Sequence, residues 1–161
     1  MHKPILLFAS VMLLSSVALS QSKSGEMKAV NVKRITPVLY AKEIEPCLEF
    51  WIQRLGFQKT VEVPDGDRLA FAIVQKGDVE LMYQSIASAE KDAPAIAKDI
   101  SGQRTFLYVE VARLDDVIAA IKGLNIVLPV RTTFYGAKEI GIKDPAGHMI
   151  VFAEMGAAPQ H

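Results

Sequence analysis

Glu80 and Glu110, the tyrosines Tyr40, Tyr108 and Tyr135, and His148 are the side chains of this 161-residue sequence whose types and placement could do chemistry. A carboxylate on a strand can pair with a cationic group or donate to a metal ion. A tyrosine can stack on a planar molecule while its hydroxyl makes one hydrogen bond. His148 stands beside a turn; the other two histidines are His2, in the apolar leader, and His161, the last residue. The single cysteine, Cys47, cannot form a disulfide within the chain and falls on the apolar stripe of a helix, where small core packing is its expected role.

Positioning these residues is the work of a pattern written twice. The first copy opens with the apolar strand Ile35–Ala41, passes into a helix over Glu45–Gly56, and closes with the strand pair Arg68–Gln75 and Val79–Gln84 around Lys76-Gly77-Asp78. The second opens with Thr105–Val111, passes through a helix over Leu114–Leu124, and closes with Lys138–Lys143 and His148–Glu154 around Asp144-Pro145-Ala146-Gly147. Cys47, Leu48, Trp51, Ile52 and Leu55 make one apolar face of the first helix; Val117, Ile118, Ile121 and Leu124 make that of the second. Gly56 is placed to end the first helix. The turn residues Pro64-Asp65-Gly66 and Asp144–Gly147 read as hairpin punctuation.

Composition bounds the class. Half of the residues are hydrophobic and the formal net charge is zero, which describes one globular domain and no nucleic-acid partner, since that needs a concentrated basic face. Residues 1–20 read as a signal peptide: His2-Lys3, then the apolar Ile5–Val17, then the small residues Ala18-Leu19-Ser20. The run is short for a membrane span, so no stable anchor is expected after cleavage, and the protein is expected to be periplasmic or secreted. A flexible lead-in over 21–33 follows. The domain is expected at 34–154, as units 34–84 and 104–154 joined by a connector over 85–103, with a tail at 155–161. The connector is expected to hold a turn or two of helix.

In order and spacing these motifs resemble the vicinal oxygen chelate superfamily, which includes glyoxalase I, extradiol dioxygenases, fosfomycin-resistance enzymes and bleomycin-binding proteins. The matching residues are Val38–Ala41, Glu43-Ile44-Glu45 leading to Leu48-Glu49-Phe50-Trp51, Leu55-Gly56-Phe57, Val111–Asp116, Tyr135-Gly136-Ala137-Lys138-Glu139, and Asp144-Pro145-Ala146-Gly147-His148 running into Met149–Glu154. The resemblance implies an α+β fold in which two β-α-β-β-β units form a cup-shaped mixed sheet with helices on its outer face. It also implies a homodimer. Metal-dependent members hold a divalent ion with two ligands from each unit, and the corresponding positions here are Thr36, Glu80, Phe106 and Val151. Only Glu80 has suitable chemistry, so no cofactor is expected.

If those positions face inward, strand alternation carries their neighbours two residues away with them. The cup then presents Thr36, Val38, Tyr40, Glu80, Met82, Gln84, Phe106, Tyr108, Glu110, Met149, Val151 and Ala153, while Leu39, Leu81, Leu107, Val109, Ile150 and Phe152 lie under the helices. The expected pocket residues are Tyr40, Glu80, Met82, Phe106, Tyr108, Glu110, Tyr135 and Met149; no catalytic residue is assigned. Such a lining suits a small apolar or aromatic ligand, as in bleomycin-resistance-type binding proteins. Two other readings stay open. One is a metal-dependent glyoxalase-like lyase or dioxygenase, with a divalent metal held by substitute ligands. The other is an assembly or protein-interaction module without a small ligand.

Overall fold

The chain begins its regular structure at a short strand, β1 (Val38–Ala41), and returns to a strand beside it only after a helix and a hairpin. The computed structural model describes residues 31–100 and 105–156. The expected signal peptide, the lead-in up to residue 30, residues 101–104 of the connector and the tail from residue 157 lie outside the described residues. The described residues from Arg34 onward form one compact unit. Among the described residues no helix is long and apolar enough to cross a membrane.

After β1 comes α1 (Glu45–Glu49), which runs on into a π-helical turn over Phe50–Arg54. Then follow β2 (Gln58–Asp65), β3 (Arg68–Lys76) and β4 (Val79–Ser85). The connector supplies two short helices, α2 (Ile86–Asp92) and α3 (Pro94–Ala97). The second unit repeats the first with β5 (Leu107–Glu110), α4 (Leu114–Ala120), β6 (Ile126–Thr132), β7 (Lys138–Lys143) and β8 (Met149–Glu154). Strand orders are β1-β4-β3-β2 and β5-β8-β7-β6, with β1–β4 and β5–β8 parallel and the other pairs antiparallel. The α+β class and the paired β-α-β-β-β units are as the sequence predicts.

Two details differ from expectation. The expected cup-shaped mixed sheet is built as two separate four-stranded sheets whose ladders stop at β1 and β5. Both strands are only four residues long, so each offers few backbone groups for a further pairing. The second difference concerns helix faces. The widened turn in α1 turns Phe50 inward to 6 % exposure beside Trp51. In α4 it is Leu114 that completes the stripe with Val117 and Ile121, while Ile118 falls on the flank and stays exposed. Gly56 ends the first helix as expected: its φ is +71°, and its N–H and that of Phe57 close on the carbonyls of Ile52 and Trp51.

The faces of both sheets that carry the helices share one core. Ala72, Val74, Leu81 and Tyr83 from the first sheet join Ile140, Ile142, Ile150 and Phe152 from the second, with Trp51 and Leu114 between them in the same cluster. Polar links reinforce the join. Arg54 donates to the carbonyls of Ala120 (3.0 Å) and Lys122 (3.1 Å), satisfying groups that the end of α4 leaves free. Trp51 Nε1 donates to Tyr83 Oη (2.8 Å), and Tyr83 donates to Asp144 Oδ2 (2.9 Å). Cys47 lies in this core at 0 % exposure; burial and the charge of Asp144 push its thiol up to about 12, which leaves it unreactive.

Gly141 fixes how closely β6 and β7 approach. A Cβ there would lie 2.8 Å from Leu128 Cβ. Gly141→Ala is therefore expected to destabilise by about 1–3 kcal/mol through overpacking, read as a lowered urea midpoint with an unchanged slope.

Candidate ligand-binding faces

Opposite the shared core, each sheet keeps a second face, and the residues predicted to line a pocket fall on these two faces rather than in one enclosed space. On the first sheet, cross-strand register places Val38 beside Met82, Ile73 and Val61, and Tyr40 beside Gln84, Phe71 and Val63. This face is apolar over most of its area, with Val38, Val61 and Val63 exposed. Its polar end is Glu80, which accepts from Thr36 Oγ1 (3.2 Å) and pairs with Arg34 (3.1 Å). Arg68 pairs instead with Glu43.

The second face is more aromatic and holds a polar cluster. Register aligns Tyr108, Val151, Gly141 and Leu128 in one row, and Glu110, Ala153, Glu139 and Arg131 in the next. The small side chains Val151 and Ala153 let Tyr108 lie diagonally over β8 to reach the carboxylate of Glu139. Glu139 is only 2 % exposed, and Tyr108 and Tyr135 each donate to its Oε1 at 2.9 Å. Arg131 donates from Nε (3.0 Å) and Nη2 (2.8 Å) to Oε2. Burial opposes ionisation of Glu139, but the bonds from Tyr135, Tyr108 and Arg131 outweigh it and hold the carboxyl below its usual range. The bond to Tyr135, burial, and Glu139 push the Tyr108 hydroxyl up, so it stays a donor.

Aromatic rings stand open here: Tyr108 and Tyr135 at the cluster are each 45 % exposed, and Phe106, just before β5, is 54 % exposed. Met149 is half-buried at the start of β8, and Glu110 is exposed at the end of β5, where it borders a groove of about 390 Å3 lined by Trp51, Leu55, Phe57, Val117 and Phe152. The structure thus brings Tyr108 and Tyr135 together on Glu139, and groups Tyr40, Glu80 and Met82 on the other sheet. Glu139 and Arg131 are absent from the sequence-based pocket. Alternation along β7 is the signal that could have found Glu139, because Ile140 and Ile142 take the core side and leave the carboxylate on the open one.

The donor set does not fit the divalent ion that the metal-dependent relatives imply. Phe106 and Val151 carry no lone pair, Thr36 directs its hydroxyl at Glu80, and Glu80 is already engaged by Arg34. Among the described residues no three His, Cys, Asp or Glu side chains converge on a point. A single occupied carboxylate is not a site for a cation that needs four or more donors.

Comparison with known proteins agrees with this architecture. The Glyoxalase/Bleomycin resistance protein/Dioxygenase superfamily matches residues 32–152. No curated protein matches the chain. Among solved structures, a glyoxalase/bleomycin resistance protein/dioxygenase from Nocardioides is 21 % identical at a TM-score of 0.62, covering 84 % of this chain and 93 % of that one. A lactoylglutathione lyase from Agrobacterium tumefaciens is 17 % identical at 0.61, covering 77 % and 95 %. The bleomycin-binding protein of the bleomycin producer Streptomyces verticillus, solved with copper(II)-bleomycin, is 25 % identical at 0.53, covering 80 % and 100 %. With the family matched over most of its length and the same fold in these structures, the chain belongs to the Glyoxalase/Bleomycin resistance protein/Dioxygenase superfamily.

Proposed function

We propose that this chain is an exported, metal-free binding protein for a small apolar or aromatic molecule, working as a homodimer in which pairing closes the open faces into cups. The observation that carries the reading is the second lining face. It exposes Tyr108 and Tyr135 on a carboxylate whose bonds are all satisfied, with Phe106 open just before β5. Exposed aromatic area supplies affinity, and a preorganised polar cluster orients the ligand without itself needing a partner. Similarity to a protein solved with copper(II)-bleomycin supports ligand binding as the activity. The open apolar faces, which a second copy would cover, support pairing of two copies. The leader pattern supports export.

The test is a thermal-shift series with planar aromatic compounds and copper(II)-bleomycin, alongside metal analysis of the purified protein. A ligand at a hundredfold its Kd stabilises by about 2.7 kcal/mol, enough to move the melting temperature visibly. Tyr108→Ala is expected to weaken binding by roughly tenfold or more, as removal of a central aromatic anchor does. Stoichiometric divalent metal that disappears in Glu80→Ala would sink the metal-free reading and restore the lyase or dioxygenase. Sedimentation velocity reads the dimer, and sequencing the N-terminus of the exported material reads the cleavage.

A further inference from the structure

We propose that the cavity beside the edge of β1 is a second small-molecule site, where the His148–Asp144 pair takes the proton of a weakly acidic apolar ligand such as a phenol. The cavity has a volume of about 250 Å3, and its walls include Val38, Leu39, Tyr40, Leu107 and Met149, with His148 among them. Pockets for drug-sized ligands run from about 300 Å3 upward, so this one has room for a single substituted ring. It shares Val38, Tyr40 and Met149 with the lining faces, but the argument for it is carried by His148 and Asp144, which those faces do not use.

The chemistry follows from the direction of a hydrogen-bond chain. Trp51 Nε1 can only donate, so Tyr83 Oη accepts from it and sends its one proton to Asp144. Asp144 Oδ1 accepts from the backbone N–H groups of Ala146 (3.0 Å) and His148 (2.8 Å). Its side chain is fully buried, and burial opposes its charge, yet the hydrogen bonds from the ring and backbone of His148 and from Tyr83 hold its carboxyl below the usual range. An ionised carboxylate only accepts. The remaining contact, His148 Nδ1 to Asp144 Oδ2 at 2.9 Å, therefore has its proton on Nδ1. In the neutral imidazole this fixes the tautomer and leaves Nε2 as an acceptor.

Among the described residues Nε2 has no protein partner, and the imidazole side chain is 22 % exposed. A phenol entering the cavity would meet one imidazole acceptor in a wall that is otherwise apolar apart from Tyr40 and Thr105. Its O–H bond breaks, the proton forms an N–H bond at Nε2, and the products are a phenolate and an imidazolium. Asp144, already charged and bonded to Nδ1, stabilises the imidazolium, much as a carboxylate orients and supports a histidine general base. Nothing is oxidised and no other reactant is required.

The probe is 4-nitrophenol, whose anion absorbs in the visible, titrated into the full-length protein at a pH slightly below the phenol's own pKa. The expected result is a saturable phenolate band with wild type. His148→Gln keeps an amide that can hydrogen-bond but cannot take the proton, so the band is lost. Thr105→Trp, at an exposed position on the cavity wall, is expected to weaken saturation by about tenfold through blockage. If His148→Gln does not fold, nitrogen-15 spectra of wild type decide the matter, since Nε2 must become protonated as ligand is added. The proposal is overturned by an absent band, by a band that survives both substitutions, or by an Nε2 signal that ignores the ligand.

Discussion

Trp51→Ala is expected to lower the unfolding free energy by about 3–5 kcal/mol, the cost of deleting a fully buried large aromatic side chain. Trp51 is 1 % exposed and stands edge-on to both Phe50 and Phe57, with ring centroids 5.4 and 4.9 Å away. Its removal empties the place where the helix of one unit meets the other unit. The loss has a polar part that can be measured separately. Trp51→Phe keeps most of the ring but removes the N–H that Tyr83 accepts, and Tyr83→Phe removes the acceptor. A double-mutant cycle on urea unfolding should return a coupling of about 0.5–3 kcal/mol. Additive effects would mean that Trp51 contributes by packing alone.

A comparable loss, about 3–5 kcal/mol, is expected at neutral pH from Asp144→Ala. The aspartate is the single acceptor for the Tyr83 hydroxyl, His148 Nδ1 and two backbone N–H groups, and no other acceptor in the turn could replace it. Asn at this position keeps the shape but places an NH2 group among those donors. The same residue gives stability a sign with pH. Its folded-state pKa is depressed from an ordinary value near 3.8, so its stabilising contribution is complete above that value. The contribution is lost as pH falls through the lower, folded-state pKa. Glu139 is depressed as well and titrates in the same acid range. Urea midpoints of wild type and Asp144→Asn should therefore converge as pH is taken well below 4. Parallel curves across that range would show that Asp144 is not ionised in the folded protein.

The fold was legible because its information is local. Alternation in Val79–Gln84, the stripe through Cys47 and Trp51, and glycine after Leu55 each specify an element without reference to the rest of the chain. The strands left unbounded, β2 and β6, are also the outermost ones. Every residue of β2 is exposed, and its apolar side is only Val61 and Val63, too short a pattern to bound a strand. Face assignment was legible too, since Leu81, Ile150 and Phe152 are uniformly apolar on one parity. What pairs with what was not. Arg131 meets Glu139 only because β6 and β7 align them across two register irregularities. Tyr83 meets Asp144 across 61 residues, and no local pattern encodes that meeting. A tyrosine on the core parity of β4 did imply a buried hydroxyl in need of a partner. Asp144, read from sequence as turn punctuation, turns out to be that partner while also shaping the turn.

The shared core has a consequence for the history this duplication can still have. Two copies of an ancestral unit ordinarily remain exchangeable parts, free to be deleted, shuffled or amplified. Here the Tyr83 hydroxyl of one copy is satisfied by Asp144 of the other, and the carbonyls of Ala120 and Lys122 in the second copy are satisfied by Arg54 of the first. The repeats have become complementary rather than equivalent, and a lineage that loses or swaps either one loses both.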